Sequence, residues 1–177
     1  QVHRNAGRLK QSVAESSFDA WTRYYKQDEN SPNALVSYYT KGSLVAAGLD
    51  LAIRNHTSDQ RSLDDVMRLM WNRYGRDFYR GRQAGIDESG MAALILEATG
   101  FDATPFLQKH AYGREDVPLK ELFEPQGVTL TWKNSTGDNG LDARLRSANG
   151  QCIVATVHEV GVAHRAGISA GDVIIAA

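Results

Sequence analysis

The sequence has few of the residues that mark disulfide-rich, membrane-spanning or strongly charged proteins. Of its 177 residues only Cys152 is a cysteine, which excludes an intrachain disulfide and any zinc site built from several cysteines. The formal charge is −1 at pH 7, so the chain has no general attraction to nucleic acid or to anionic membranes. No apolar run approaches the roughly 18–20 residues that span a bilayer, and no apolar segment of a signal peptide follows the polar start. We expect a soluble protein with no nucleic-acid or membrane partner, and the compartment stays open between cytoplasm and periplasm.

Several motifs of catalytic and nucleotide-binding sites are also missing. The chain has no G-x-x-x-x-G-K-S/T, no G-x-G-x-x-G and no G-x-S-x-G, so nucleotide-dependent and serine-hydrolase functions have no support. None of the five histidines belongs to H-E-x-x-H, which binds zinc through two imidazoles one helical turn apart. His158-Glu159 is followed by His164 at the wrong spacing, and Gly161 interrupts the segment. The sequence predicts that this chain binds no metal by itself.

What is present is a helical pattern over the first two thirds of the chain. Apolar residues recur three and four positions apart between capping residues and terminating glycines, which is typical of amphipathic helices. The predicted helices cover residues 36–53, 62–75, 87–100 and 104–113, and a fifth is expected over 12–25, before a loop at 30–33. Ser62 with Asp65, and Asp87, are the expected N-terminal caps. We expect these helices to form a bundle.

Near residue 125 the pattern changes to the period of β-strands. Val128, Leu130 and Trp132 alternate with polar residues, which predicts a half-buried strand. Asn149-Gly150 lies between two strand-like runs, and both residues tolerate the positive φ of a type I′ hairpin turn. We therefore predict an α+β fold, with a helical domain over residues 1–124 and a β-rich domain over residues 125–177.

The end of the chain resembles the short helix, turn and following strand of a PDZ domain. In that family the stretch reads S-P-A-x-x-A-G-L-x-x-G-D-x-I. The matching residues here are Ala163, Ala166, Gly167, Ile168, Gly171, Asp172 and Ile174, while Val162 stands where proline is common. The family has later strands and a second helix beyond the position of Ala177, so we expect a truncated PDZ module.

The resemblance also implies a peptide-binding loop. In it, backbone N–H groups of Gly140, Leu141, Asp142 and Ala143 would hold the C-terminal carboxylate of a partner peptide. The other interpretation of these residues is a plain surface loop that contains glycine.

Five segments of the helical part carry a further resemblance, and these are residues 7–8, 11–21, 28–33, 36–42 and 62–67. They are similar to segments of the glycyl aminopeptidase-type metallopeptidases, which are gluzincins with a C-terminal PDZ domain. The resemblance implies that residues 1–124 are the C-terminal part of a gluzincin catalytic domain. It also implies that the complete protein is a zinc-dependent aminopeptidase with a peptide substrate, whose H-E-x-x-H helix lies before Gln1. We therefore expect no activity from this chain alone.

Tyr39 is the candidate catalytic residue. Tyr39-Thr40-Lys41-Gly42 resembles the Y-x-K-G segment of the wider aminopeptidase N-type enzymes, in which the tyrosine stabilises the oxyanion. The chemistry suits a phenol, because its ordinary pKa of about 10 keeps it protonated at neutral pH while charge builds on the attacked carbonyl oxygen. Adjacent helical residues point about 100° apart, so we expect Tyr38 to face a different site. Lys41 is expected to be a structural or surface residue, and the alternative for both tyrosines is that they only pack the start of the helix.

A second function is open on the residues alone. In it, the helices form a non-catalytic scaffold and the PDZ module binds peptides. Arg73, Arg76 and Arg80 are interleaved with aromatic residues, as in grooves that bind single-stranded nucleic acid, but Asp77 lies among them. We interpret that segment as a solvated helix end. The two functions differ in their need for zinc and for Tyr39.

Overall fold

The computed structural model describes residues 2–81, 84–132 and 140–176. These residues form two compact units. The first contains the residues up to Gly42 together with those from Trp132 onward, and the second is Ser43–Thr131. The two units are defined by how their residues pack together. The domain boundary expected between residues 124 and 125 stays a prediction.

Helices and one small antiparallel sheet make up the two units, which confirms the α+β class. In chain order the helices are α1 (Val13–Phe18), α2 (Ser31–Ala34), α3 (Tyr38–Thr57), α4 (Leu63–Met70), α5 (Gly90–Thr99), α6 (Thr104–Leu107), α7 (Leu119–Phe123) and α8 (Val162–Arg165). The strands are β1 (Ala143–Ala148), β2 (Gln151–Val157) and β3 (Val173–Ile174), in the sheet order β1-β2-β3. Among the described residues, no helix is both long and apolar enough to cross a membrane.

In the first unit, α1 begins at a capping box formed by Ser12 and Glu15. The Glu15 N–H donates to Ser12 Oγ at 3.0 Å, and the Ser12 N–H donates to the Glu15 carboxylate at 2.7 Å. A π-helical turn over Ala20–Tyr24 continues α1, so the helix expected over 12–25 is confirmed. The loop expected at 30–33 is wrong, because those residues belong largely to α2. Pro32 lies in the first turn of α2, where its missing N–H removes no helical hydrogen bond.

The second unit is built around a core shared by α3, α4 and α5. Leu49 and Ile53 of α3 are buried with Val66 of α4, Ile95 of α5 and Ala103. Each helix contributes residues from one face, as the three- and four-residue spacing predicts. The predicted packing of these helices against one another is therefore confirmed.

The two predicted helix caps have different outcomes. At the start of α4, the Ser62 N–H donates to the Asp65 carboxylate at 2.9 Å, as the capping-box pattern predicts. The cap predicted at Asp87 is wrong, because α5 begins only at Gly90. The carbonyl of Asp87 accepts from the Gly90 N–H at 2.8 Å, so this aspartate closes a turn ahead of the helix.

The predicted hairpin is confirmed in the first unit. β1 and β2 pair in antiparallel fashion on either side of Asn149-Gly150. The φ angles of these two residues are 52° and 74°, which are the positive values that a type I′ turn requires. The turn therefore sets the starting register of the two strands.

Further along the hairpin, β2 carries one extra residue relative to β1. Arg144 pairs with Thr156, but the next residue of β1 pairs with Val154, so Ala155 forms a β-bulge. Without the extra residue Val154 and Val157 would point to opposite faces of the sheet; with it, both are buried in one core. Arg144 and Thr156 pair next to the buried Ala143 and Val157, so they lie together on the other face.

The strand expected at 128–132 is wrong. The Val128 N–H donates to the Phe123 carbonyl at 3.2 Å, which closes a helical turn after α7. Within the described ranges, no strand pairs with this segment. Alternation of apolar and polar residues indicates extended backbone, whereas a strand also needs a neighbouring edge to bond.

Candidate active site

The backbone just before α3 is held by side chains from the start of the chain. The Val36 N–H donates to Gln11 Oε1 at 3.1 Å, and Ser16 Oγ donates to the Val36 carbonyl at 2.6 Å. Gln11 and Ser16 are both buried. Gly7 lies against the backbone of Leu35 so closely that an added Cβ would stand 2.1 Å from the Leu35 carbonyl oxygen. These contacts fix the point at which the chain enters α3.

Ser37 then caps the first turn of α3. Its hydroxyl oxygen accepts from the Thr40 N–H at 3.2 Å, and its carbonyl accepts from the Lys41 N–H at 2.9 Å. The hydroxyl of Tyr24 donates to Ser37 Oγ at 2.9 Å. The π-helical turn after α1 is thereby joined to the start of α3 through a tyrosine.

Lys41 stabilises the same turn through a buried hydrogen bond. It is only 2% exposed, and its Nζ donates to the Arg8 carbonyl at 2.7 Å. A buried ammonium group is tolerated only where polar groups of the protein replace its water. Lys41 is thus a structural residue, in agreement with one of the two interpretations of the sequence.

Four tyrosines, Tyr24, Tyr25, Tyr38 and Tyr39, form what we call the tyrosine cluster. The hydroxyl oxygen of Tyr25 lies 2.9 Å from that of Tyr38 and 3.0 Å from that of Tyr39. The rings of Tyr38 and Tyr39 lie against each other, with centroids 4.2 Å apart. The expectation that these two residues face different sites is wrong for their hydroxyl groups. Their Cα–Cβ bonds diverge, but a phenol is long enough for both hydroxyls to reach one partner.

The hydrogen bonds within the cluster affect its phenols in opposite directions. The bond with Tyr25 lowers the pKa of Tyr39, and contact with Tyr38 lowers it further. The bond with Tyr25 raises the pKa of Tyr38 well above its ordinary value. Tyr39 is therefore the more acidic of these two phenols and the stronger hydrogen-bond donor. With 59% of its surface exposed, it is also accessible to a molecule from solution.

Exposed aromatic rings continue the cluster along the surface of the first unit. The ring centroids of Trp21 and Tyr25 are 5.3 Å apart, and Trp21 is exposed, as is Phe18 one turn earlier. Large apolar patches on a protein surface commonly mark a place of contact with another molecule or segment. The tyrosine cluster thus lies on a surface suited to contact with a peptide or with further polypeptide.

The described residues do not fit a zinc site. Among them, no group of three or more histidine, cysteine, aspartate or glutamate side chains lies where it could hold a metal ion. Zinc in proteins needs three or four such ligands at tetrahedral positions. We therefore assign no catalytic step through zinc to these residues, and zinc ligands outside the chain stay a prediction.

The loop predicted to bind a peptide carboxylate is attached to the start of α8. The Leu141 carbonyl accepts from the Ala163 N–H at 2.8 Å, and the Asp142 carboxylate accepts from the Val162 N–H at 3.4 Å. Ala143 is buried in the sheet core, so only its backbone could meet a ligand. The loop precedes β1, and its binding role stays a prediction.

Sequence reasoning missed Tyr25 and the residues that hold Val36. Gln11 and Ser16 lie in the segment 11–21, which resembles the peptidases, but the sequence does not indicate which backbone group they bind. Tyr24-Tyr25 is a second tyrosine pair ahead of Tyr38-Tyr39, and this repetition was the available signal. The contact between the two tyrosine pairs depends on the tertiary structure of the residues that lie between them.

The tyrosine cluster and the side chains that support it all lie near the start of the chain. Residues 1–45 match the model of the M61 glycyl aminopeptidase family. The matched range contains Tyr39 and all the other members of the cluster. It does not reach the loop at 140–143.

A solved structure extends the similarity over the whole chain. The crystal structure of an aminopeptidase N family protein from Idiomarina loihiensis is similar, with 34% sequence identity and a TM-score of 0.85. The similarity covers 99% of this chain and 31% of that one, so this chain spans less than a third of the length of that protein. No curated protein matches the chain.

Proposed function

We propose that this chain is the tyrosine-bearing part of a zinc-dependent aminopeptidase that releases N-terminal residues from peptides. The observation that carries the proposal is the accessible, hydrogen-bonded hydroxyl of Tyr39 inside the range that matches the M61 family. Similarity to a structure of the aminopeptidase N family supports the same reaction class. The gluzincin assignment and the PDZ identity of the C-terminal module are parts of this proposal.

In the proposed reaction, Tyr39 donates a hydrogen bond to the oxygen of the attacked peptide carbonyl. Negative charge develops on that oxygen in the transition state, and a donor already in place stabilises it without reorganisation. The lowered pKa of Tyr39 strengthens this donor. Loss of one such donor typically reduces kcat by about 10²–10³-fold.

Tyr25 acts in this scheme as a positioning residue. Its hydroxyl contacts the hydroxyls of both Tyr38 and Tyr39, so it limits where the Tyr39 hydroxyl can point. Tyr25→Phe should lower kcat with little change in KM. It should also move the alkaline limb of the pH profile upward, because Tyr39 loses the bond that lowers its pKa. A merely structural effect of the substitution would leave that limb in place.

In this proposal, the zinc ligands and the general-base glutamate are residues outside the described ranges. The donor groups described here do not fit the metal. When bound in the complete protein, zinc would supply the activated water for attack on the peptide carbonyl. The chain of 177 residues is accordingly proposed to be inactive alone.

An assay of the complete protein on short peptides tests the function. Peptides with a free N-terminus should lose one residue at a time, and matched peptides with an acetylated N-terminus should not be cleaved. A chelator should abolish turnover, and added zinc should restore it. Equal cleavage of the acetylated peptides, or full turnover in the chelator, would contradict the proposal.

A non-catalytic scaffold with a peptide-binding module is the second candidate. It is favoured by one observation, which is that β1 lies at the edge of the described sheet, directly after the loop at 140–143. Such an edge can accept an extended peptide as an additional strand. In this case peptides should bind through a free C-terminus, chelation should change nothing, and no turnover should be found.

A further inference from the structure

A concave surface of the first unit lies beside the tyrosine cluster. It is a cavity of about 530 Å³ that is lined by Arg4, Arg144 and His158 together with neutral residues. We call it the arginine cavity. Its volume falls within the range of about 300–1,000 Å³ that is usual for small-molecule sites.

The strand pairing of the hairpin explains why Arg144 lines this cavity. Arg144 pairs with Thr156 on the sheet face opposite the core. His158 follows Thr156 two positions later, which places it on that same face by strand alternation. Regular pairing and alternation thus bring a guanidinium and an imidazole to one side of the hairpin, while Ala143 and Val157 stay in the core.

Two of the side chains that line the cavity are positively charged. Arg4 and Arg144 carry permanent charges, since the guanidinium group does not lose its proton in proteins. Among the described residues that line the cavity, none is acidic. His158 is 5% exposed, whereas Arg4 and Arg144 are exposed and can meet an anion from solution.

The neutral lining contains polar and apolar residues and connects the cavity to the tyrosine cluster. Gln27 adds a hydrogen-bonding amide. Tyr24 and Ser37 line the cavity as well, and these two residues hold the first turn of α3. The ring of Tyr24 is 5.2 Å from that of Tyr38 and 6.3 Å from that of Tyr39. A molecule in the cavity therefore lies close to the candidate catalytic phenol.

We propose that the arginine cavity binds the C-terminal carboxylate of a short peptide. A planar carboxylate can accept two parallel hydrogen bonds from one guanidinium, and the polar residues of the lining suit the amide groups that precede it. The position beside the tyrosine cluster selects a peptide over other anions. Carboxylate binding at this position would give the enzyme a preference for short peptide substrates, so this inference rests on the proposed aminopeptidase function.

Binding should be measured on the complete protein after chelation, so that no turnover interferes. The probes are Gly-Ala-Ala, the same tripeptide with a C-terminal amide, and inorganic phosphate, all titrated calorimetrically. We expect the free tripeptide to bind more tightly than its amide by about tenfold or more, because the amide removes a charged hydrogen-bond partner. Phosphate should compete only weakly.

Variants of two arginines in one strand identify the site. Arg144→Gln should remove the preference for the free carboxylate, and Arg144→Lys should retain part of it. Arg146→Gln is the matched control, since Arg146 belongs to the same strand but does not line the arginine cavity; it should keep the full preference. Unfolding midpoints equal to that of the unsubstituted protein confirm that each variant is folded.

Several results would overturn the proposal. These are equal binding of tripeptide and amide, a preference that survives Arg144→Gln, or phosphate that binds as tightly as the tripeptide. The outcome is separable from that of the proposed function. Turnover without a carboxylate preference would refute the cavity alone, whereas a carboxylate preference without turnover would refute the aminopeptidase function alone.

Discussion

The close approach of Gly7 to Leu35 gives a quantitative prediction for Gly7→Ala. The new Cβ would stand 2.1 Å from the Leu35 carbonyl oxygen and 2.6 Å from its carbonyl carbon and nitrogen. All three are backbone atoms, so the clash cannot be relieved by rotating a side chain. Overpacking of this kind costs about 1–3 kcal/mol. The shift of Leu35 would also displace Val36 and the first turn of α3, and with it the Tyr39 hydroxyl.

Gly42→Ala is a matched control for this substitution. Its added Cβ would meet only the side chain of Val13, at 3.7 Å, which is an ordinary contact distance. Alanine is favoured over glycine inside a helix by about 0.5–1 kcal/mol, so this variant should be as stable as the unsubstituted chain or more so. Both variants reduce the freedom of the unfolded chain similarly, and their comparison therefore isolates the clash.

Urea unfolding followed by circular dichroism measures the difference between the two variants. The free energy of unfolding of Gly7→Ala should lie below that of Gly42→Ala by about 1–3 kcal/mol. Equal unfolding midpoints and slopes for the two variants would refute the reasoning. In that case Gly7 could not be the close contact that positions the entry to α3.

Two further predictions concern hydrogen bonds. Asn33 is buried, donates to the Val157 carbonyl at 2.8 Å and accepts from the Glu159 N–H at 2.9 Å. Asn33→Ala should therefore lower the free energy of unfolding by about 1–3 kcal/mol, measured by urea unfolding. The bond from the Ser62 N–H lowers the pKa of Asp65, so its stabilisation is present above the ordinary aspartate pKa and is lost as pH falls through the lowered value. Asp65→Asn should be less stable than the unsubstituted chain at neutral pH, and the difference should vanish in acid.

Exposed residues provide the controls for both. Asn72→Ala, at an exposed position of the second unit, should leave the unfolding midpoint unchanged. Asp64→Asn, at the exposed neighbour of Asp65, should be about as stable as the unsubstituted chain at neutral pH. An Asn33→Ala variant as stable as Asn72→Ala would contradict the first prediction. A stability difference for Asp65→Asn that persists in acid would contradict the second.

Local features of the fold could be predicted because their causes are local. The Ser62–Asp65 cap and the Asn149-Gly150 turn depend on residues within a few positions of one another. The bulge at Ala155 could not be predicted, since it follows from which residues of two strands share a core. The strand expected at 128–132 failed for the same reason, because the alternating pattern carries no information about a partner strand.

The candidate site was only partly accessible from sequence. Tyr39 was found through a resemblance of four consecutive residues, and its catalytic role stays a prediction. Its partner Tyr25 lies 14 positions away, and that pairing depends on how α1 and its following turn pack against the start of α3. The burial of Lys41 beneath the Arg8 carbonyl likewise needed the tertiary structure, because a helical lysine is usually solvated.

The most direct test of the central claim is the turnover of Tyr39→Phe in the complete protein. Tyr79→Phe, which removes another exposed phenol hydroxyl, serves as the control. If Tyr39 is the oxyanion donor, Tyr39→Phe should retain bound zinc and a similar KM while kcat falls by about 10²–10³-fold. Tyr79→Phe should match the unsubstituted enzyme. Unchanged turnover in a folded, zinc-loaded Tyr39→Phe variant would contradict the assignment of Tyr39 as the oxyanion donor.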